Sequence, residues 1–352
     1  MIFVLRTGLS SSLRRSVTAN AVAVATSTAA TMIVGANLFT ALDLRVQPVA
    51  KLLLSIDFED WHQLVHRGLG RDDWDQRGSA LERQTAAIFE LLEELNAKAT
   101  FFVLGMTAER YPDLVRAVAA KGHELACHGY AHRRVPTQSR DEFRADVERC
   151  LELLEKLGGK RPLGYRAPAF SITRGTPWAY DVLAELGFRY DSSQYDSPRI
   201  RERIGGVPRT PYRLELAGGL EIWEYPITVW PVRGRSVPMG GGAYWRALPA
   251  AVLRRALREV VAENSHPVLY FHPYELDPQP LRAALPEDPT PKQRALAAWK
   301  SVQRNPGRKL VADRIRAIAR EHTLGSYEEA HGEVVERYGA RPRSLSREGV
   351  VV

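Results

Sequence analysis

The sequence is poor in cysteine and in long apolar runs. Two of its 352 residues are cysteine, Cys127 and Cys150, which are too few for a disulfide framework. No stretch beyond residue 48 is apolar for the roughly 20 residues that a membrane-spanning helix needs. The sequence therefore excludes a small protein held together by disulfides and predicts no stable membrane insertion.

Acidic residues are missing from the first 42 positions, which carry Arg6, Arg14 and Arg15 and are rich in alanine, serine, threonine and valine. This composition has three interpretations: a targeting sequence, a weak membrane anchor, or a lead ahead of a later start such as Met32. We expect residues 1–48 to be disordered, targeting or mis-assigned. We therefore expect the protein to be cytoplasmic. If residues 1–48 are a genuine targeting sequence, the protein would instead be exported or associated with the cell envelope.

A concentrated block of positive charge is also absent, although the net charge is +8. The arginines are scattered, and no motif of alternating aromatic and basic residues accompanies them, so we expect no nucleic-acid partner. The glycine run at residues 240–242 lacks the Lys and Ser/Thr of a phosphate-binding loop. It indicates instead a place where the backbone approaches a neighbouring group closely, near a substrate site.

Strand and helix patterns alternate along the chain. The pattern predicts strands at 51–56, 100–104, 124–127 and 163–166, and helices at 79–95, 111–121, 140–157 and 177–186. Repeated βα units of this kind are typical of a parallel sheet, so the fold class is α/β, either barrel-like or doubly wound. A further helix at 309–321 is predicted to pack on this domain.

Polar residues stand where several of these strands end. Asp57, His128, Arg166 and Asp191 each follow an apolar strand segment. Because the carboxyl ends of parallel strands meet at one face, these side chains are expected to share an active-site mouth.

His128 and His132 have the spacing of two ligands on one face of a helical turn. With one carboxylate they would complete a metal site of two histidines and one acid. Strand alternation after Asp57 favours Glu59 as that acid, whereas a turn after Phe58 would present Asp60 instead. His62 and His66 share the same spacing and form a rival pair.

Six segments carry a resemblance. In chain order they are SIDFEDW (55–61), ATFFVLG (99–105), GHELACHGYAH (122–132), YRAPAFSI (165–172), GFRYDSS (187–193) and YFHPYE (270–275). This series resembles the polysaccharide deacetylases, carbohydrate esterase family four, which share the NodB-homology domain. Residues 238–246 and the region from 307 are similar to a branch from exopolysaccharide and exosortase loci, related to peptidoglycan deacetylases and metal-independent allantoinases.

The resemblance implies a distorted (β/α)7 barrel at 49–275, a C-terminal helical extension at 276–330 packing on it, and a flexible tail at 331–352. It implies a metal-dependent hydrolase that removes N-acetyl groups from an N-acetylated glycan, either an exopolysaccharide or a cell-envelope glycan. Zinc is the expected metal, with cobalt, nickel or manganese as alternatives. Two other functions stay open: a metal-independent amidase acting on a small amide or ureide, and a non-catalytic glycan-binding barrel.

The resemblance also implies roles for individual residues. Asp57 would be the general base and His272 the general acid, with Arg166 holding the base. Asp191 would orient His272. Other residues would bind metal or substrate: Glu59 or Asp60 with His128 and His132 as ligands, Pro168 and Phe170 at the acetyl pocket, and Trp223 and Tyr225 along the sugar groove.

Overall fold

The first strand, β1 (Lys51–Phe58), lies at the centre of the molecule with nearly every residue buried. It pairs in parallel with a strand on each side, and residues on both of its faces are buried, which accounts for its almost continuously apolar sequence. The structure is a computed structural model that describes residues 50–196, 203–277, 279–346 and 349–351. The expectation for residues 1–48 falls on positions outside these ranges.

The remaining elements follow β1 along the chain. The strands are β2 (Thr100–Val103), β3 (Glu124–Cys127), β4 (Gly164–Tyr165), β5 (Tyr190–Asp191), β6 (Tyr212–Glu215), β7 (Glu221–Glu224), β8 (Val229–Val232), β9 (Arg235–Pro238), β10 (Val268–Phe271), β11 (Thr323–Gly325), β12 (Ser344–Leu345) and β13 (Val350–Val351). The helices are α1 (Trp61–Gly68), α2 (Ala80–Glu94), α3 (Gly105–Arg110), α4 (Pro112–Ala120), α5 (Arg140–Gly158), α6 (Trp178–Glu185), α7 (Gly242–Ala247), α8 (Ala250–Val261), α9 (Pro291–Arg304), α10 (Val311–Ala319) and α11 (Tyr327–Tyr338).

The main sheet has nine strands in the described ranges, and seven of them run parallel in the order β10-β1-β2-β3-β4-β5-β7. Strand β6 pairs antiparallel with β7, and β11 pairs in parallel with β1. The sheet closes where Ile227, just past β7, forms a parallel bridge to Val268 of β10. The hydrogen bonds at this closure do not form a continuous ladder. The Thr228 N–H donates to the Val268 carbonyl, and the Val268 N–H donates to the Thr228 hydroxyl. The predicted distorted (β/α)7 barrel is confirmed.

The outer helices bury one face each against the barrel, as the amphipathic pattern predicts. Helix α5 begins with a capping box between Ser139 and Glu142 and ends at Gly159, which adopts a left-handed φ of 76°. It buries residues such as Phe143, Val147 and Leu151, spaced by four. No helix in the described ranges has the length and apolar character needed to cross a membrane.

The C-terminal region differs from the flexible tail expected at 331–352. Helix α11 starts with a capping box of Ser326 and Glu329 and buries Tyr327, Ala330 and Val334. Their spacing of three and four residues gives the helix an apolar stripe that packs on the barrel, and β12 and β13 form an antiparallel pair. The Ser-x-x-Glu motif at the start of α11 is a helix-capping pattern that the sequence already contains. The many charged residues of the segment made a flexible tail the simpler prediction.

Candidate active site

The residues at the carboxyl ends of the barrel strands meet at one mouth. Asp57 is in β1, His128 directly follows β3, Arg166 follows β4 and His272 follows β10. Parallel strands with this polarity bring the four positions to the same end of the barrel. The sequence predicts this location for the first three of them together with Asp191.

Glu59, His128 and His132 form a compact group of possible metal ligands. Their ligand atoms all lie within 4.8 Å of one another. Glu59 Oε2 is 3.3 Å from His132 Nε2 and 3.9 Å from His128 Nε2. The two histidines do not share a helical turn, which corrects the sequence argument. The chain instead turns through Gly129 and His132, both at positive φ, and this turn brings the two rings together.

The chemistry of this group suits a divalent cation. Among the described residues, Glu59 Oε2 is buried without a hydrogen-bond partner. Burial raises the pKa of Glu59, but contact with His132 and the charges of the three nearby histidines lower it to about 2, so the carboxylate is ionised. His128 Nδ1 lies 2.8 Å from the Arg166 carbonyl oxygen, which orients the ring and leaves Nε2 toward Glu59.

Asp60, the alternative third ligand, is engaged elsewhere. Its Oδ1 accepts a hydrogen bond from the His62 backbone N–H at 2.9 Å as the N-cap of α1. Its Oδ2 accepts from the Tyr111 hydroxyl at 2.8 Å. The geometry therefore favours Glu59, as strand alternation predicted. His62 and His66 belong to no ligand group within the described ranges, and His66 accepts from the Ala284 N–H.

Asp57 is held by Arg166, as expected from the resemblance. Arg166 Nη1 donates to Asp57 Oδ1 at 2.5 Å, and both side chains are almost completely buried. The guanidinium lies 4.0 Å from the ring centre of Phe102. This charged pair is thus fixed in a dry environment next to the Glu59 group.

His272 is oriented by Glu275 and not by Asp191, which corrects the assignment of Asp191. His272 Nδ1 is 3.3 Å from Glu275 Oε2, and Glu275 is 1% exposed. Burial lowers the pKa of His272, but Glu275, Glu59 and Asp57 raise it to about 8. Arg246 Nε donates to Glu275 Oε1 at 3.0 Å, so the carboxylate bridges the histidine and the arginine.

Asp191 instead stabilises the loop after β5. Its carboxylate accepts from the Ser193 hydroxyl at 2.7 Å and the Ser193 N–H at 3.0 Å. Burial and the adjacent Glu224 raise its pKa well above its usual range. The Asp-Ser-Ser segment therefore forms an Asx turn after β5, and Asp191 has a structural role there.

Trp223 and Tyr225 do not line an open groove. Trp223 is 4% exposed and Tyr225 is fully buried, and the Tyr225 hydroxyl bonds His331 Nδ1 at 2.7 Å. Both rings pack in the barrel interior against α11, because alternation along β7 and the segment after it turns them away from the mouth.

The predicted pocket residues after Arg166 do lie beside the site. Pro168 is buried, and the half-buried Phe170 ring stands 5.7 Å from the Arg166 guanidinium and 4.9 Å from the Tyr270 ring. Ala169 and Phe170 adopt φ of 54° and 53°, which non-glycine residues rarely do. This strained turn aims Phe170 toward the mouth.

The glycine run at 240–242 permits close contacts behind His272. A Cβ on Gly242 would lie 2.1 Å from Glu275 Oε2, and one on Gly241 would lie 2.6 Å from the Tyr270 hydroxyl. The close backbone approach predicted from the sequence is therefore found, with Glu275 as the group approached.

Comparison with known proteins identifies two matched segments. Residues 72–190 match the family model described as polysaccharide deacetylase, and residues 192–330 match a domain of unknown function, DUF3473. His128, His132 and Arg166 lie in the first segment, whereas Arg246, His272 and Glu275 lie in the second.

Individual proteins agree with the first match. A peptidoglycan deacetylase-like protein of Gibberella zeae is 30% identical over 50% of this chain and 50% of its own length. A peptidoglycan-N-acetylglucosamine deacetylase of Bacillus cereus is 37% identical over 24% of this chain and 30% of its own length. The chain thus spans half or less of the length of these curated relatives.

A solved structure agrees in fold. The crystal structure of a Mycobacterium smegmatis protein described as a polysaccharide deacetylase superposes with a TM-score of 0.55 at 24% identity, covering 85% of this chain and 95% of that one. The match over residues 72–190 and the named relatives show that this part of the chain is similar to polysaccharide deacetylases, and the solved structure shows that the barrel fold is shared.

Proposed function

We propose that the protein is a metal-dependent hydrolase that removes acetyl groups from an N-acetylated polysaccharide. One observation carries the proposal: the buried, ionised Glu59 carboxylate and the rings of His128 and His132 present ligand atoms within 4.8 Å of one another. One carboxylate and two imidazoles arranged in this way are a ligand set for a divalent cation. Asp57 and His272, a possible base and a possible acid, flank this group.

Glu59, His128 and His132 would hold the cation. One carboxylate and two imidazoles suit zinc, and cobalt, nickel or manganese could occupy the same ligands. When bound, such an ion polarises the acetyl carbonyl and lowers the pKa of a water molecule.

Asp57 would act as the general base. Its carboxylate would accept the proton of the attacking water, and the 2.5 Å hydrogen bond from Arg166 keeps that carboxylate oriented. Because both groups are shielded from solvent, their interaction is stronger than it would be in water.

His272 would act as the general acid. Its Nε2 is 3.4 Å from Glu59 Oε1, so this nitrogen faces the metal-ligand group and can deliver a proton to the leaving amine. Glu275 bonds the opposite nitrogen, which fixes the ring and favours its protonated form.

The names of the relatives support the substrate class. Both curated relatives are named for deacetylation of peptidoglycan, one of them at N-acetylglucosamine. For this chain we propose a related N-acetylated glycan, either of the cell envelope or an exopolysaccharide. A metal-independent amidase would not need the metal-ligand group around Glu59. A glycan-binding barrel without catalytic activity would not need the two buried pairs, Arg166 with Asp57 and Glu275 with His272.

Acetate release from N-acetylated glucosamine oligomers and from peptidoglycan fragments tests the proposal. The purified protein is expected to contain one divalent ion per chain, to release acetate, to lose that activity on chelation and to regain it with zinc. Acetate release that persists in fully demetallated protein would favour the metal-independent amidase. Glycan binding with bound metal but without acetate release would favour the non-catalytic barrel.

A further inference from the structure

Arg166 uses all of its hydrogen-bond donors inside the barrel. A guanidinium group has five N–H bonds. Nε donates to the Ser192 carbonyl at 3.0 Å, and Nη1 donates to Ser55 Oγ at 3.0 Å and to Asp57 Oδ1 at 2.5 Å. Nη2 donates to Ser192 Oγ at 2.9 Å and to the Tyr327 hydroxyl at 2.8 Å. The four bonds that do not involve Asp57 therefore determine the position and orientation of the guanidinium next to the Asp57 carboxylate.

Tyr327 is the most distant of these partners along the chain, 161 residues from Arg166. It is the first residue of α11 and lies near the end of the segment that matches a domain of unknown function. We propose that Tyr327 is a positioning residue of the active site: its hydroxyl fixes the Arg166 guanidinium and, through it, the Asp57 carboxylate. This inference rests on the proposed function, in which Asp57 is the base.

The Tyr327 hydroxyl has to accept one hydrogen bond and donate another. The Ser192 hydroxyl donates to the Tyr225 carbonyl at 2.8 Å, so its oxygen is left as an acceptor. It lies 3.2 Å from the Tyr327 hydroxyl. Tyr327 can therefore donate to Ser192 Oγ while it accepts from Arg166. A phenylalanine ring would fill the same space and provide neither bond.

The position of this hydroxyl is fixed by the way α11 begins. The Tyr327 N–H donates to Thr100 Oγ1 of β2 at 2.9 Å, and the Glu328 N–H donates to Glu124 Oε2 of β3 at 2.9 Å. The Tyr327 ring is fully buried and stacks on the Tyr190 ring at 5.3 Å. The first turn of α11 is thus bonded to two barrel strands, and the hydroxyl has little freedom to follow a displaced arginine.

Loss of the hydroxyl would leave one N–H of a buried cation without an acceptor. The guanidinium can relieve this by shifting toward its remaining partners, and the 2.5 Å bond to Asp57 shifts with it. A displaced base reduces the rate of the chemical step but leaves the sugar contacts and the Glu59 group unchanged.

The variant Tyr327→Phe tests the proposal by steady-state acetate release. We expect kcat to fall about tenfold, which corresponds to the loss of one hydrogen bond to a charged group, while KM and bound metal stay within about twofold of wild type. The matched control is Tyr338→Phe on the same helix, because the Tyr338 hydroxyl contacts Ser265 and Asn264 and does not contact Arg166. The control is expected to keep the wild-type kcat.

A double-mutant cycle separates positioning from general damage. In an Arg166→Lys background the tyrosine no longer has a guanidinium to hold, so Tyr327→Phe is expected to cause no further loss of kcat. An equal tenfold loss in both backgrounds would overturn the proposal. An unchanged kcat in the single variant would overturn it as well.

Two further measurements keep these outcomes distinct. Wild-type acetate release tests the proposed function itself, so its failure is separate from the failure of the Tyr327 role. If the Phe variant does not fold, nuclear Overhauser contacts in the wild-type protein between the Tyr327 ring and the Arg166 guanidinium protons decide the matter. Arg166 guanidinium protons that are protected from solvent exchange and show this contact would support the proposal. The absence of the contact would overturn it.

Discussion

His272 Nδ1 lies 3.3 Å from Oε2 of Glu275, a carboxylate that is 1% exposed and is bonded on its other oxygen by Arg246. A buried glutamate in this position does two things for the histidine. It selects the orientation of the ring, and its charge compensates for the burial of the imidazolium.

The variant Glu275→Gln tests this relationship. We expect kcat for acetate release to fall about 10- to 100-fold, part of the contribution that a general acid makes, because the amide keeps the shape but not the charge. The matched control is Glu287→Gln, on an exposed loop, which should behave as wild type. A wild-type rate in Glu275→Gln would show that His272 does not depend on this carboxylate.

Gly242→Ala should disturb the same carboxylate from the opposite side. The added methyl group would lie 2.1 Å from Glu275 Oε2, so the side chain has to move, and we expect a loss of about 1–3 kcal/mol in stability together with a lower kcat. Gly332→Ala, in the exposed part of α11 with nothing within 4 Å, should be neutral or slightly stabilising. Urea unfolding and acetate assays on both variants provide the comparison.

Metal analysis separates ligands from catalytic groups. His128→Ala is expected to lose the bound ion, whereas Asp57→Asn should keep it and lose at least about 100-fold in turnover. His62→Ala is the matched control and should keep both metal and activity. Full metal occupancy in His128→Ala would disprove the ligand assignment and return attention to His62 and His66.

Glu124 should make the stability of the protein depend on pH. Burial raises its pKa from 4.5 to about 7 despite hydrogen bonds from Thr100 and Tyr190. Between these two values the folded protein retains a proton that the unfolded chain has released. Stability is therefore fully present below about pH 4.5 and is lost as the pH rises through 7.

The size of this effect is up to about 3 kcal/mol, from 1.36 kcal/mol for each pKa unit. The variant Glu124→Gln cannot lose this proton, so its free energy of unfolding should rise relative to wild type between pH 5 and pH 8. Parallel urea titrations at several pH values measure the difference, and a constant difference would contradict the assignment.

Local patterns in the sequence were sufficient for most of the barrel. Strand β3 spans residues 124–127 as predicted, and α5 ends one residue beyond its prediction, because apolar periodicity and the glycine stop act within a few residues. Glu59 could be preferred for the same reason, since β1 stays extended through Phe58 and alternation carries Glu59 to the side of Asp57.

The errors concern burial and packing. Asp191 was the wrong partner for His272, because its carboxylate accepts from Ser193, whereas Glu275, three residues after His272, contacts the ring. Glu275 could not be preferred from the sequence alone, because glutamates are seldom buried. Its burial depends on Arg246, 29 residues away in α7. Tyr327 was passed over for the same reason, since its role exists only once α11 packs on the barrel.

The position of β1 has a consequence for how the chain folds. This strand is synthesised early and is almost entirely apolar, yet its neighbour β10 comes much later: the Ser55 hydroxyl bonds the Leu269 carbonyl, 214 residues further on. Pairing over such a separation gives the barrel a high contact order, which slows folding. Until β10 emerges from the ribosome, one edge of β1 remains unpaired, and an unpaired apolar strand edge is prone to aggregation.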